Sequence, residues 1–308
     1  MPTVKSDKDL SRIMAAHVAA GEEWLKLPAR NRHRPAPERW LLSYPCNIEN
    51  WPWPLHELSI PSYCLQLSLE EARVFGSWIY ELGEGFDEIT TDAAFEATFK
   101  ATLIRMLDLA FEGSFPDGAF VRLGSRSPKD SLYWGMDPED SESGIVRNAD
   151  QAIRRLISCS ERVYDDLQMH LAMDTPPCIY LRKWIDIPEA LEFRCFMKDR
   201  KLIGISQYYH HGVYPEVTDN LSKFKQIIEA FFAEKFLPAI HLDSVVFDVF
   251  MTGNNVRDYQ THLLEINPFY ELCDPCLFDW SKPEDFQGQL RYRSELGSRG
   301  FGTKDFNG

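Results

Sequence analysis

Apolar residues recur along this chain with two different periods, and the change from one to the other organises it. Early on they fall three or four apart. Leu10, Ile13, Met14, Val18 and Leu25 form a stripe behind Ser6, which predicts a helix to about Leu27. Leu69, Ala72, Phe75, Ile79 and Leu82 repeat the pattern behind Ser68. Phe95, Phe99, Leu103, Met106 and Ala110 predict a third helix from about Asp92 to Phe111. Ile153, Leu156, Ile157, Val163 and Leu167, with Ser160 among them, predict one continuous helix over NADQAIRRLISCSERVYDDLQMHL, with Asp150 near its positive end. From Cys178 the chain turns β-rich. CIYLRKWIDI reads as a strand leading to a bend at Pro188, and LEFRCFMKDRKLIGISQYY as two strands about an Asp199-Arg200 turn. A helix over Thr218–Phe236 carries Leu221, Phe224, Ile228 and Phe232, and His241–Phe269 reads as a further hairpin.

The intervening stretches are irregular. PARNRHRPAPERW is basic, with Arg30, Arg32, His33, Arg34 and Arg39, and three prolines are expected to keep it irregular. WPWP lies in a Trp- and Pro-rich segment over 44–67 that reads as extended cover for a core. Residues 135–144 are acidic and turn-rich, CLFDWSKPEDF ends in a short helix, and the tail from Arg291 is polar and expected to be poorly ordered. No internal repeat is visible.

Bulk composition narrows the function classes. The net charge of −14 argues against an extended nucleic-acid surface, which needs cations to neutralise phosphates. No run approaches about 18 uninterrupted apolar residues, so a membrane span is not expected. The N-terminus MPTVKSDKDL lacks the apolar core of a signal peptide. The cysteines at 46, 64, 159, 178, 195, 273 and 276 form an odd, scattered set, which fits the reducing cytoplasm. Cys273 and Cys276 make one CxxC, but no second cysteine pair or HxxxH follows, so a zinc site is not expected. A monomer is expected.

Three places carry candidate chemistry. In the last hairpin, Asp248 lies on the first strand, and Glu265 and Asn267 share a face of the second. Three oxygen donors on one hairpin edge suit a hard cation such as Mg²⁺, and would equally suit a solvated sheet face. Replacing Asp248 or Asn267 by alanine is expected to remove such a cation while leaving the fold intact. FVRLGSRSPKD combines a strand bearing Arg122 with a small, polar loop bearing Arg126 and Lys129. That loop could cradle phosphate or be an exposed hairpin tip, and it lacks GxxxxGK[ST]. Arg194, flanked by Phe193, Cys195 and Phe196, calls for an anionic partner: Glu192, Asp248 or a ligand phosphate.

Taken together, FVRLGSRSPKDS, NADQAIRRLISCSERVYDDL, YLRKWIDIPEALEFRCFMKDRKLIGISQ, FDVF and EINPFYELCDPCLFDW resemble the cell division cycle 123 protein family over roughly 115–285. The resemblance implies an α+β fold of the ATP-grasp type, two α+β lobes enclosing a nucleotide cleft, behind a mainly helical N-terminal region. Its implied divisions are 1–115, an N-lobe over 116–180, a C-lobe with the metal site over 181–290, and the polar tail 291–308. It implies ATP and Mg²⁺ as cofactors. Arg122 stands where the family has a lysine lining the phosphates, and Lys129 matches the lysine of its Pro-Lys-Asp loop. Arg182, Lys183, Trp184 and Ile185 resemble the inter-lobe hinge that holds adenine. Arg194 is similar to the arginine facing the phosphates, with a catalytic role if phosphoryl transfer occurs. Asp248, Glu265 and Asn267 resemble the Mg²⁺ ligands, with Glu265 where the family tends to have aspartate. The eukaryotic members are assembly chaperones for translation initiation factor 2, which implies a protein client. The alternative is an ATP-grasp ligase joining a carboxylate to an amine through an acyl-phosphate.

Overall fold

The computed structural model describes residues 37–79, 92–131, 144–158, 160–271, 273–297 and 300–307. The helix expected over Ser6–Leu27, most of the basic stretch and most of the acidic loop lie outside them. The chain divides into two compact units. The first holds the described residues up to Tyr44 together with Ser62–Trp184. The second holds Pro45–Pro61 and the described residues from Ile185 onward.

The first unit has a four-stranded antiparallel sheet. Its strands are β1 (Ser62–Gln66), β2 (Ala119–Leu123), β3 (Ile145–Val146) and β4 (Cys178–Lys183), in the order β1-β4-β2-β3. Its main helices are α1 (Leu69–Ser77), α2 (Ala93–Ser114), α3 (Ala149–Ile157) and α4 (Glu161–Ala172). Ser68 begins α1 with a capping box: its hydroxyl accepts from Glu71 N at 3.2 Å, and Glu71 accepts from Ser68 N at 2.7 Å. Asp92 caps α2 through Ala94 N. The single helix expected over 148–171 is two. Asn148 caps α3, and Ser160 accepts from Val163 N to start α4. A serine hydroxyl that binds the backbone ahead of it competes with a continuing helix, which explains the break.

Alternation sorts β2 and β4. Val121, Leu123, Ile179 and Leu181 point into the helical core with Phe75, Leu103, Leu107 and Leu167. The register sets Arg122 opposite Tyr180 and Phe120 opposite Arg182, so both arginines lie on the other face.

The second unit has six strands: β5 (Glu192–Lys198), β6 (Lys201–Gln207), β7 (Val245–Thr252), β8 (Gln260–Pro268), β9 (Leu290–Gly297) and β10 (Gly300–Phe306). Their order is β10-β9-β6-β5-β7-β8, and only β6 and β9 are parallel. The Asp199-Arg200 turn has both residues in the left-handed region, at φ 49° and 61°. That is the backbone a tight hairpin between right-twisted strands requires. Helix α5 (Leu221–Phe231) runs into a π-helical turn at Phe232–Phe236. These cover one sheet face by ring contacts, with Phe224 5.2 Å from Phe193 and Phe236 4.1 Å from Phe247. On the other face Phe196, Val246 and Phe278 pack with Trp280 and Phe286.

The expected polar tail is instead β9 and β10. Its charges do not prevent pairing, because Arg291 bridges Asp305 at 2.7 Å and Asp285 at 3.2 Å and lies 4.5 Å from the Phe278 ring centre. The WPWP segment is also not extended throughout. Trp53–Glu57 forms one helical turn with proline in its first positions, where the missing N–H costs nothing. Ser59 then joins β8, with Leu263 N donating to Leu58 O at 2.8 Å and Ser59 Oγ to Leu263 O at 2.7 Å.

Candidate functional site

The second unit builds one row of chemistry across three strands. Antiparallel register places Asp248 on β7 opposite both Arg194 on β5 and Glu265 on β8, with Asn267 opposite Val246. Residues two apart share a face, so all four polar side chains face the same side as Phe196 and Val246. The open question about the partner of Arg194 is answered by Asp248. Nε donates to Oδ1 and Nη2 to Oδ2, each at 2.8 Å, in a bidentate pair. Arg194 is 6% exposed and Asp248 1%. Nη1 donates to the Asp274 carbonyl at 2.7 Å, and the Tyr208 ring centre lies 5.0 Å from the guanidinium carbon.

Burial works against the charge on Arg194, and the Asp248 carboxylate more than offsets it, so the guanidinium is held firmly protonated. Burial also raises the neighbouring thiols, Cys273 to about 12 and Cys195 well above its usual value. These cysteines are therefore inert as nucleophiles near neutral pH. Among the described residues no disulfide forms.

One observation bears on the hard-cation reading. Asn267 Nδ2 is a buried donor with no hydrogen-bond partner among the described residues. An orphaned donor beside a carboxylate pair suits an anionic oxygen arriving with a cation. Asp248, Glu265 and Asn267 each carry oxygen acceptors of the kind a hard cation takes. The expectation that Asp248→Ala leaves the fold intact needs correcting, because it would strand Arg194 as an unpaired buried charge.

In the first unit Arg122 curls back onto its own loop. Nε donates to Leu123 O at 2.9 Å and Nη2 to Ser125 O at 3.2 Å. The loop is anchored further along, where Asp130 accepts from Ser160 Oγ at 2.7 Å and from Arg162 N at 3.0 Å. Arg162 Nε in turn donates to Ser127 O at 3.0 Å. The loop carrying the exposed Lys129 is thus a braced structure rather than a loose hairpin tip. Arg182 is buried, Lys183 is exposed, and Trp184 N donates to Gly118 O at 3.3 Å. The unit division falls between Trp184 and Ile185, within the expected hinge.

Sequence reasoning missed Asp130, Ser160 and Arg162 as the brace of the phosphate-type loop, and Tyr208 and Asp274 as partners of Arg194. Its one usable signal was Asp274-Pro275, a turn-former directly after the candidate ligands.

Among the described residues no helix is long and apolar enough to cross a membrane. The profile of the D123 family matches residues 113–295. A translation initiation factor eIF2 assembly protein of Vanderwaltozyma polyspora is 38% identical over 105 residues, 34% of this chain and 27% of that protein. Its Dictyostelium discoideum counterpart is 28% identical over 170 residues, 53% of this chain and 42% of that protein. The chain therefore spans less than half the length of these two relatives. The solved structure of Cdc123 from Schizosaccharomyces pombe covers 80% of this chain and 92% of its own, with a TM-score of 0.60 at 23% identity. That likeness is one of fold, and it agrees with the α+β architecture expected from the sequence.

Proposed function

The chain belongs to the D123 family, and from that premise we propose that it binds Mg²⁺-ATP on an ATP-grasp-type fold and uses the bound nucleotide to hold a protein client during assembly, in the cytoplasm. The observation that carries the reading is the buried Arg194–Asp248 pair, flanked by Glu265 and by the orphaned Asn267 amide. Asp248, Glu265 and Asn267 would hold the cation. When bound, that cation would neutralise phosphate charge and fix the phosphate chain. Arg194 holds both oxygens of Asp248 in place and has further N–H groups to offer a phosphate oxygen. Arg122 and Lys129 are proposed as phosphate contacts, and Arg182, Lys183, Trp184 and Ile185 as contacts to adenine. The relatives' names, translation initiation factor eIF2 assembly protein, support a protein client of that kind.

Calorimetric titration with ATP, with and without Mg²⁺, tests the site. Asn267→Ala and Glu265→Gln should each weaken Mg²⁺-dependent binding by about tenfold or more while leaving the melting temperature nearly unchanged. Unchanged affinity in both variants would sink the assignment. Incubation with ATP and candidate clients then separates the activities. A stable client complex without ADP release supports assembly, whereas substrate-dependent ADP release supports a ligase joining a carboxylate to an amine.

A further inference from the structure

The loop after β8 approaches the turn after β6 at three metal-binding side chains. A ring nitrogen of His210, a carboxylate oxygen of Asp274 and Sγ of Cys276 all lie within 4.8 Å of one another. Their surroundings hold them in place. His210 Nδ1 is 3.1 Å from the Tyr208 carbonyl, so in the Nδ1–H tautomer it donates there and leaves the Nε2 lone pair for a ligand. The His210 carbonyl accepts from Arg293 Nε at 2.7 Å. On the other side, Cys276 N donates to Asp274 Oδ1 at 2.8 Å and Leu277 N to Ser206 Oγ at 3.2 Å. Cys276 has φ 52°, a left-handed backbone that side-chain-bearing residues seldom adopt. Cys273 does not join the set, because it packs against the Phe196–Phe278 cluster.

We propose that His210, Asp274 and Cys276 form a binding site for a divalent transition-metal ion of the zinc class, with one coordination position left open. An imidazole, a thiolate and a carboxylate are the ligand types such an ion takes, and three protein ligands leave the fourth corner of a tetrahedron for water or another ligand. The thiolate selects against Mg²⁺ and Ca²⁺, which prefer oxygen alone. This site is therefore chemically distinct from the oxygen set at Asp248, Glu265 and Asn267. Asp274 is exposed and the other two are half-buried, so an ion has a path in. As the sulfur–metal bond forms, the Cys276 proton leaves to solvent, and no oxidant or reductant is needed. The CxxC spacing points to Cys273 as the partner of Cys276, whereas the fold supplies a histidine from a different strand end.

Cobalt(II) reports directly on thiolate ligation. The full chain, reduced and stripped by a chelator, is titrated with Co²⁺ without nucleotide. The expected result is saturation at a single equivalent, with a thiolate-to-cobalt charge-transfer band and tetrahedral d–d absorption. Zn²⁺ should bleach both, and excess Mg²⁺ neither. Cys276→Ser should remove the charge-transfer band, and His210→Ala should weaken Co²⁺ binding by about tenfold or more. Cys273→Ser should change neither, and far-UV dichroism checks that each variant is folded. No band at stoichiometric Co²⁺, a band that survives Cys276→Ser, or one that Cys273→Ser removes would overturn the assignment. Glu265→Gln should leave the titration unaltered, so a failure here is distinguishable from a failure of the Mg²⁺ reading.

Discussion

Arg122 in the first unit and Arg194 in the second are both buried on sheet strands, and they are held in different ways. Arg122 donates to carbonyls one and three residues ahead, and these bonds are local. Arg194 reaches across the sheet to Asp248, and that anchor is remote and charged. The first arrangement shapes a loop. The second ties β5 to β7 and holds a carboxylate in place where oxygen donors gather. The same contrast extends to other titratable groups. His170 in the first unit is fully buried, with Nε2 lacking a hydrogen-bond partner among the described residues, and is kept neutral. The second unit buries Arg194 and Asp248 as a charged pair.

The severest way to break this contrast is to remove one half of the remote pair. Asp248→Ala should cost about 3–5 kcal/mol of unfolding free energy, measured by denaturant titration, because Arg194 is left charged and dry. Changing both, Arg194→Leu with Asp248→Leu, should recover most of that loss. A double variant as unstable as the single one would mean that the pair adds net stability rather than merely being costly to break.

Next in size is the neutral histidine. Burial lowers the pKa of His170 to about 4, opposed by its bond to the Thr175 carbonyl, while the unfolded chain takes up the proton near 6.5. Between those values the unfolded state binds more protons. Stability therefore falls as the pH drops from about 6.5 to about 4, by up to about 3 kcal/mol, and is unaffected above that window. His170→Gln should flatten the part of the pH–stability curve that wild type shows there. Parallel curves for the two proteins would refute the assignment.

The local anchor should matter less. Arg122→Lys keeps the charge but cannot span both carbonyls, so a loss of about 1–2 kcal/mol is expected. Faster hydrogen exchange at Gly124–Ser127 would confirm that the loop was what loosened. Ser68→Ala removes half of the capping box and should cost about 1 kcal/mol in thermal melts.

What could be read from the sequence follows the same division. The Asp199-Arg200 turn, the starts of α1 and α2 at Ser68 and Asp92, and the core positions Ala72, Phe75, Phe99, Leu103 and Ala110 are decided by residues a few positions apart, and each was legible. The face shared by Glu265 and Asn267 was legible too, since strand alternation is a local rule. Whether Arg194 paired with Glu192, with Asp248 or with a ligand was not, because the answer depends on strand register. The split between α3 and α4 was missed because Ser160 fits an apolar stripe only by position, while its hydroxyl acts as a cap. The tail was missed because β9 finds its parallel partner β6 far back in the chain, and because Arg291 hides its charge by stacking and pairing. The approach of His210 to Cys276 leaves no trace in residue spacing, since two separate strand ends create it.

The segment Pro45–Pro61 belongs to the second unit although it precedes most of the first. Ser59 and its acceptor Leu263 are 204 residues apart in the chain. At a synthesis rate of about 5–20 residues per second, Ser59 leaves the ribosome roughly 10–40 seconds before that acceptor exists. Through that interval Leu58 and Ser59 have no β8 strand to pair with. The whole of Ser62–Trp184, in the first unit, is made in between. The nascent chain therefore carries a segment without its partner strand through much of its own synthesis, and completion of the second unit is timed by one of its last-made strands.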